Sequence, residues 1–170
     1  MVYNNPANSA APSLEAPQIR ELYEGGYARA VKSTFQTVHQ VHELRAELDP
    51  GFRVFYGSFM APLEAIAGGA HGWISGILNI ATPDAVAMFR AIGAGDLKTA
   101  RTLWHRILPL RLLYTRQELG PASDLAIYRA ILRLRGLQGG YSRAPVHDLT
   151  VDQVGQLRAL LGPVGLVPTG

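Results

Sequence analysis

Apolar and polar positions follow two different periods along this chain. Up to about residue 92, short apolar runs of strand length are interleaved with stretches whose apolar residues recur at helical spacing. Beyond that point only the helical period remains. Residues 1–3 read as the end of a strand, and residues 4–9 as the Asn-, Pro- and Ser-rich loop after it. A helix is predicted over 14–24, with Ser13 as its N-cap, Pro17 near its start and Gly25-Gly26 ending it. The run 28–34 is the second strand. Phe35, Val38, Val41 and Leu44 place a helix over 34–48, broken by Asp49-Pro50-Gly51. Residues 52–56 and 72–75 are the third and fourth strands, and a short helix over 61–67, closed by Gly68-Gly69, lies between them.

Thr82-Pro83-Asp84 supplies a cap, an N1 proline and an early acid for a helix running to about residue 92. Asp96 caps a long helix over 97–118 that Pro109 should kink. Ser123 starts a helix to 134, and Thr150 starts one to 161. In the long helix, Leu103, Ile107, Leu110 and Leu113 are the expected core positions. Strand–helix alternation means parallel βαβ units, so the fold class is α/β. The expected organisation is a strand-bearing part over 1–95 and a helical extension over 96–170. Four strands can form an open parallel sheet. They cannot close a (β/α)₈ barrel, which needs eight strands and roughly 250 residues.

Composition narrows the class. The chain has 170 residues, 48% hydrophobic and 17% charged, enough for a sizeable core in a globular protein. A net charge of +3 is spread along the chain and argues poorly for nucleic acid. Cysteine is absent, which excludes a disulfide frame and thiolate metal ligands. The first residues carry neither a basic leader nor a long apolar stretch. No signal peptide and no membrane span are expected, and a cytoplasmic protein is the default.

Charge usage singles out one residue. There are fourteen arginines and two lysines. Lys98 lies at a polar helix start. Lys32 lies at the end of an apolar strand, where α/β proteins place their chemistry. A lysine losing water there is expected to have a depressed amine pKa and to become a nucleophile toward carbonyls. Arginine cannot replace it in imine chemistry, because a guanidinium stays protonated. The bland alternative is a lysine reaching into solvent from a strand end, and on composition alone that alternative is the better one.

Other signals are weaker. His39 and His42 share a helix face beside Glu43, but no third ligand is placed near them, so a solvated face is the better reading. The segment GAGDLKTA lacks a glycine directly before its lysine and follows a helix, so it is not a phosphate loop. Arg101, Arg106, Arg111, Arg116, Arg129, Arg133 and Arg135 make basic helices, read as solvated surface and subunit contacts.

The segments VYNNP, AVKST, FRVFYGS, GGAHGWISGILNIATPDAV, AGDLKTARTLWHRILPL and LRGLQGGYSRAPVHDLT, in that order, resemble the second half of the dihydrodipicolinate synthase / N-acetylneuraminate lyase family. The resemblance covers essentially the whole chain. It implies a (β/α)₈ barrel with a C-terminal helical extension, represented here by strand equivalents five to eight. It also implies Schiff-base lyase or aldolase chemistry on pyruvate or a related 2-keto acid, with no metal or organic cofactor. An aldehyde or sugar acid is the expected co-substrate, and the full-length protein is expected to be a homo-oligomer.

On the same resemblance, Lys32 matches the imine-forming lysine and Tyr3 the tyrosine that relays protons. Gly57 and Ile74 match positions whose backbone lines the keto-acid pocket. Each has a structural alternative: a strand-end tyrosine packing its ring, a strand-to-helix turn, a core strand residue. Asn8 stands where dihydrodipicolinate synthases carry an arginine for the aldehyde substrate's carboxylate. An uncharged amide cannot make that bidentate contact, which points to a different co-substrate. Gly57 is followed by Ser58-Phe59-Met60 rather than by the acidic residues of the sialic acid lyase pattern. The family's carboxylate-gripping loop and a second relay tyrosine belong to the half of the barrel not represented here. The chain is therefore expected to be inactive or nearly so alone, with an exposed sheet edge and inner face. Rival readings are a non-catalytic structural or oligomer-forming remnant, one half of a split aldolase, and a basic helical binder of nucleic acid.

Overall fold

The computed structural model describes residues 1–169. Eleven elements follow one another: β1 (Val2–Asn4), α1 (Ala16–Glu24), β2 (Ala30–Ser33), α2 (His39–Glu47), β3 (Arg53–Tyr56), α3 (Pro62–Ala67), β4 (Gly72–Trp73), α4 (Leu78–Gly93), α5 (Leu97–Thr115), α6 (Asp124–Leu134) and α7 (Val151–Leu161). The described chain forms two compact units. One holds residues 1–75 and 87–101, the other residues 76–86 and the chain from 102 onward.

In the first unit the four strands form one sheet in the order β1-β2-β3-β4, parallel throughout. Alternate side chains point to opposite faces. Val31, Val54 and Tyr56 face the helices and join Ile19, Val41, Leu44, Phe52 and Ala65 in the core. The other face is more open, with Tyr3 exposed and Lys32, Phe55 and Gly72 half-buried. Register places Tyr3, Lys32, Phe55 and Gly72 in one row across it, and Tyr3 is 57% exposed. A parallel sheet normally buries both faces; this one is dry on one side only. The architecture is α/β, with the strands and helices of a partial (β/α)₈ barrel.

Every expected strand is present, and the helix starts show where local hydrogen bonds override propensity. Helix α1 begins at Ala16, not at 14, and Ser13 does not cap it. Leu14 is held elsewhere: its N–H donates to Asn4 Oδ1 at 3.1 Å, and its carbonyl accepts from Asn4 Nδ2 at 2.7 Å and Gln40 Nε2 at 2.8 Å. Glu15 takes the cap instead, its N–H bonded to Gln18 Oε1 at 3.0 Å. Helix α2 starts at His39 rather than 34, because Thr34 N–H still pairs with β1 through Asn4 O at 2.9 Å. Strand β4 stops at Trp73, although Ile74 N–H continues the ladder to Tyr56 O at 2.9 Å.

Helix α4 begins four residues before Thr82 and is interrupted at Ala81, whose φ of −122° and ψ of 20° are not helical. Pro83 explains the break, since its ring clashes with the carbonyl four residues back. Thr82 Oγ1 bonds back to Leu78 O, so it does not act as the cap. Pro109 lies inside α5, which ends at Thr115, three residues short of the expected 118. Asp96 does cap that helix, accepting from Thr99 N–H at 3.0 Å. Ser123 and Thr150 cap α6 and α7 as expected.

In the second unit Ile107, Leu110 and Leu113 are buried with Ile127, Ile131 and Leu157, while Leu103 is only half-buried. Three of the arginines expected to be solvated hold chain together instead. Arg129 donates to Gly139 O at 2.9 Å. Arg135 donates to Leu166 O at 2.7 Å and also to Ile80 O. Arg133 donates to Gly140 O and sits 3.6 Å from Asp148. Among the described residues no helix is long and apolar enough to cross a membrane.

Candidate active site

The open face of the sheet presents Lys32 beside Tyr3. The two are register partners on adjacent parallel strands, so their side chains leave the sheet in the same direction. Lys32 Nζ stands 4.0 Å from the centre of the Tyr3 ring, over its face. A cation so placed is attracted by the ring quadrupole, by about 0.5–1 kcal/mol where water has access. Lys32 is half-buried, and among the described residues it has no ion pair or hydrogen bond. The amine is therefore held by an aromatic face and not committed to a carboxylate.

The Tyr3 hydroxyl accepts a hydrogen bond from Asn5 Nδ2 at 2.8 Å. Asn5 is itself buried, and its Oδ1 accepts from Asn8 Nδ2 at 3.4 Å. The backbone supports the same turn, with Asn8 N–H donating to Asn5 O at 3.2 Å. Asn8 is exposed on the loop, at the outer end of this short chain of amides.

Gly57 follows β3 directly, its N–H donating to Ser33 O at 2.7 Å. It lies against the Lys32 stem and the Thr34 side chain. Ile74 follows β4 and is 37% exposed. Since the N–H groups of Gly57 and Ile74 both serve the ladder, neither is available to a ligand. Lys32, Tyr3 and Gly57 thus meet at the C-terminal ends of β1 to β3, and Ile74 stands one strand further along.

Beneath the site, on the helix side, lies a buried amide cluster. Gln40 Oε1 accepts from Ser33 Oγ at 2.8 Å and from Asn4 Nδ2 at 3.1 Å. Asn4 and Ser33 are the residues after Tyr3 and Lys32, so Gln40 ties together the two strand ends that carry the pair. Sequence reasoning missed Asn5, Thr34 and Gln40. Asn5 sat in a run already explained as a turn, and Gln40 in a helix with no feature of its own. Among the described residues no group of three His, Cys, Asp or Glu side chains could hold a metal ion.

The C-terminal ends of parallel strands are where (β/α)-barrel proteins carry their sites, and Lys32 and Tyr3 stand toward those ends here. The comparisons narrow the class. A profile of the Dihydrodipicolinate synthetase family matches residues 1–163, and the chain belongs to that family. A 4-hydroxy-tetrahydrodipicolinate synthase of Exiguobacterium sp. is 31% identical over 92% of this chain and 52% of its own length. The crystal structure of a putative dihydrodipicolinate synthetase from Pseudomonas aeruginosa superposes with a TM-score of 0.82 at 29% identity, covering 95% of this chain and 54% of that one. An N-acetylneuraminate lyase from Fusobacterium nucleatum shares the fold, with a TM-score of 0.80 at 21% identity over 95% of this chain and 53% of its own. The chain spans about half the length of the curated relatives it matches.

Proposed function

We propose that this chain is the C-terminal half of a Schiff-base lyase or aldolase, with residues 1–95 as strand equivalents five to eight and residues 96–170 as the helical extension. Lys32 attacks the keto carbon of pyruvate or a similar 2-keto acid. Loss of water from the adduct gives an iminium, which accepts the electron pair of the breaking carbon–carbon bond and becomes an enamine. In the forming direction a proton leaves the methyl carbon, and the resulting enamine gives its pair to the aldehyde carbon and returns to the iminium. Tyr3 passes the protons that this addition and dehydration require. Gly57 and Ile74 form the backbone wall of the keto-acid site, and no metal or organic cofactor is needed, because the iminium is the electron sink. Asn8, an amide where a dihydrodipicolinate synthase has arginine, favours a co-substrate other than that enzyme's aldehyde.

The observation that carries the reading is the uncommitted amine of Lys32, 4.0 Å from the centre of the Tyr3 ring. Half-length coverage of the relatives favours a second element of the reading: the carboxylate grip and the remaining relay group belong to the other half of the barrel. The chain alone forms the imine poorly and does not complete the aldol reaction. The test is reduction with borohydride in the presence of pyruvate, followed by peptide mass spectrometry. A stable adduct on Lys32, absent from Lys32→Arg, supports the reading. Adducts distributed equally over Lys32 and Lys98, or none at all, would leave a non-catalytic structural remnant as the better description.

A further inference from the structure

The run Asn4-Asn5-Pro6 looks like turn chemistry, yet its two asparagines do different things. Asn4 points to the helix side of the sheet and clamps Leu14. Asn5 is 9% exposed and directs its amide nitrogen at the Tyr3 hydroxyl, 2.8 Å away. No other hydrogen bond to that hydroxyl is present among the described residues. The amide is oriented by its far end, where Asn8 Nδ2 donates to Asn5 Oδ1 at 3.4 Å. With its oxygen end engaged by a donor, Asn5 presents N–H, and not C=O, to the phenol.

We propose that Asn5 is a positioning residue for Tyr3, holding the phenol oxygen by an N–H donor so that the ring lies under Lys32 Nζ and the hydroxyl's own proton points away from the loop. This rests on the reading of Tyr3 as the proton relay. The physical argument has two parts. The side chain of a tyrosine 57% exposed on a three-residue edge strand is free to rotate about χ1 unless something holds its far end. The Asn5 bond is that hold. A phenol also has one proton and two lone pairs. When an amide N–H occupies a lone pair, the hydroxyl cannot give its proton to that nitrogen, so it remains available on the open side of the sheet. A carbonyl in the same place would take the proton and remove it from any exchange with the amine.

The test uses the chain's shortage of lysine. With 13C-labelled lysine only Lys32 and Lys98 give side-chain signals, and Lys32→Arg assigns them. The Lys32 ε-methylene lies near an aromatic face, so its protons resonate upfield of those of Lys98. In Asn5→Ala that upfield displacement is expected to collapse toward the Lys98 position, as the Tyr3 ring is released. Tyr3→Phe keeps the ring and removes only the oxygen that Asn5 holds. It should show the same collapse, and the double variant Tyr3→Phe/Asn5→Ala should add nothing further. An unchanged Lys32 signal in Asn5→Ala, or a full displacement retained in Tyr3→Phe, overturns the proposal, since a merely turn-forming asparagine predicts the latter. Should Asn5→Ala fail to fold by circular dichroism, Tyr3→Phe alone still decides. The measurement needs no turnover, so its failure is distinct from a failure of the borohydride experiment.

Discussion

A Cβ built at Gly57 would stand 2.0 Å from Thr34 Oγ1 and 3.0 Å from Lys32 Cε. Both side chains project from the same face of β2 and its extension, so they cannot move apart without leaving that face. Gly57 is thus the position where packing and the candidate chemistry coincide: its bare Cα leaves room for the lysine stem. Gly57→Ala is expected to cost about 1–3 kcal/mol through overpacking. It should also lower the yield of the Lys32–pyruvate adduct, because the amine is displaced from the Tyr3 ring. Urea denaturation measures the first effect and mass spectrometry after borohydride the second. A variant with wild-type stability and adduct yield would show that this contact yields freely. Lys98, by contrast, lies at an exposed helix start and should report no change in either experiment.

At the scale of elements, side chains buried on the helix side set where strands and helices begin. Gln40 is 1% exposed and accepts from both Asn4 and Ser33. Replacing it with leucine keeps the bulk but takes the acceptor from the buried Ser33 hydroxyl, one of two acceptors from the Asn4 amide and one of two donors from the Leu14 carbonyl. An expected loss of about 1–3 kcal/mol follows from leaving buried polar groups unpaired. The urea midpoint should fall while the slope stays constant. In the second unit Tyr114 of α5 and Tyr128 of α6 pack with ring centres 5.6 Å apart. Burial pushes the Tyr128 phenol up to about 12, and burial raises Tyr114 as well.

The sign of the resulting pH dependence is fixed. The folded state favours neutral phenols, so their contribution is complete below the unfolded value of 10.0 and is lost as pH rises toward about 12. Thermal melts followed by circular dichroism between pH 9 and pH 12 should show a falling midpoint, and Tyr128→Phe should flatten that fall. The helix starts also show the reach of sequence reading. Caps with their own side-chain signature, Asp96, Ser123 and Thr150, were legible. The starts of α1 and α2 were not, because Asn4 reaches ten residues along the chain to Leu14 and its carbonyl holds Thr34 in the ladder. No periodicity carries that information. That Lys32 and Tyr3 stand side by side on neighbouring strands was to be expected from the family resemblance, whereas the hydrogen bonds of Asn5 and Gln40 existed only once the chain had folded.

For the molecule as a whole, the decisive feature is a sheet with one dry and one wet face. Its edge strands, β1 and β4, are three and two residues long and have no outer neighbours among the described residues. Eight strands close a barrel of this family's type, and four are described here. If the remaining groups reside on the other strands, supplying a segment with the first four strands of a relative should raise aldol turnover in a chain expected to show none alone. Product formation from pyruvate and an aldehyde, measured with and without that segment, reads this directly. Restoration should require Lys32 and disappear in Lys32→Arg. Turnover by the unaided chain would show that half the barrel suffices.

The row Tyr3, Lys32, Phe55, Gly72 also slopes. A Cβ at Gly72 would meet Phe55 Cδ1 at 3.2 Å and Cε1 at 3.3 Å, so the phenylalanine ring leans into the gap that the glycine leaves. A side chain at Gly72 would crowd that ring, which is the lysine's neighbour in the row. The smallest residue in the row thereby decides where the aromatic ring beside the lysine can lie.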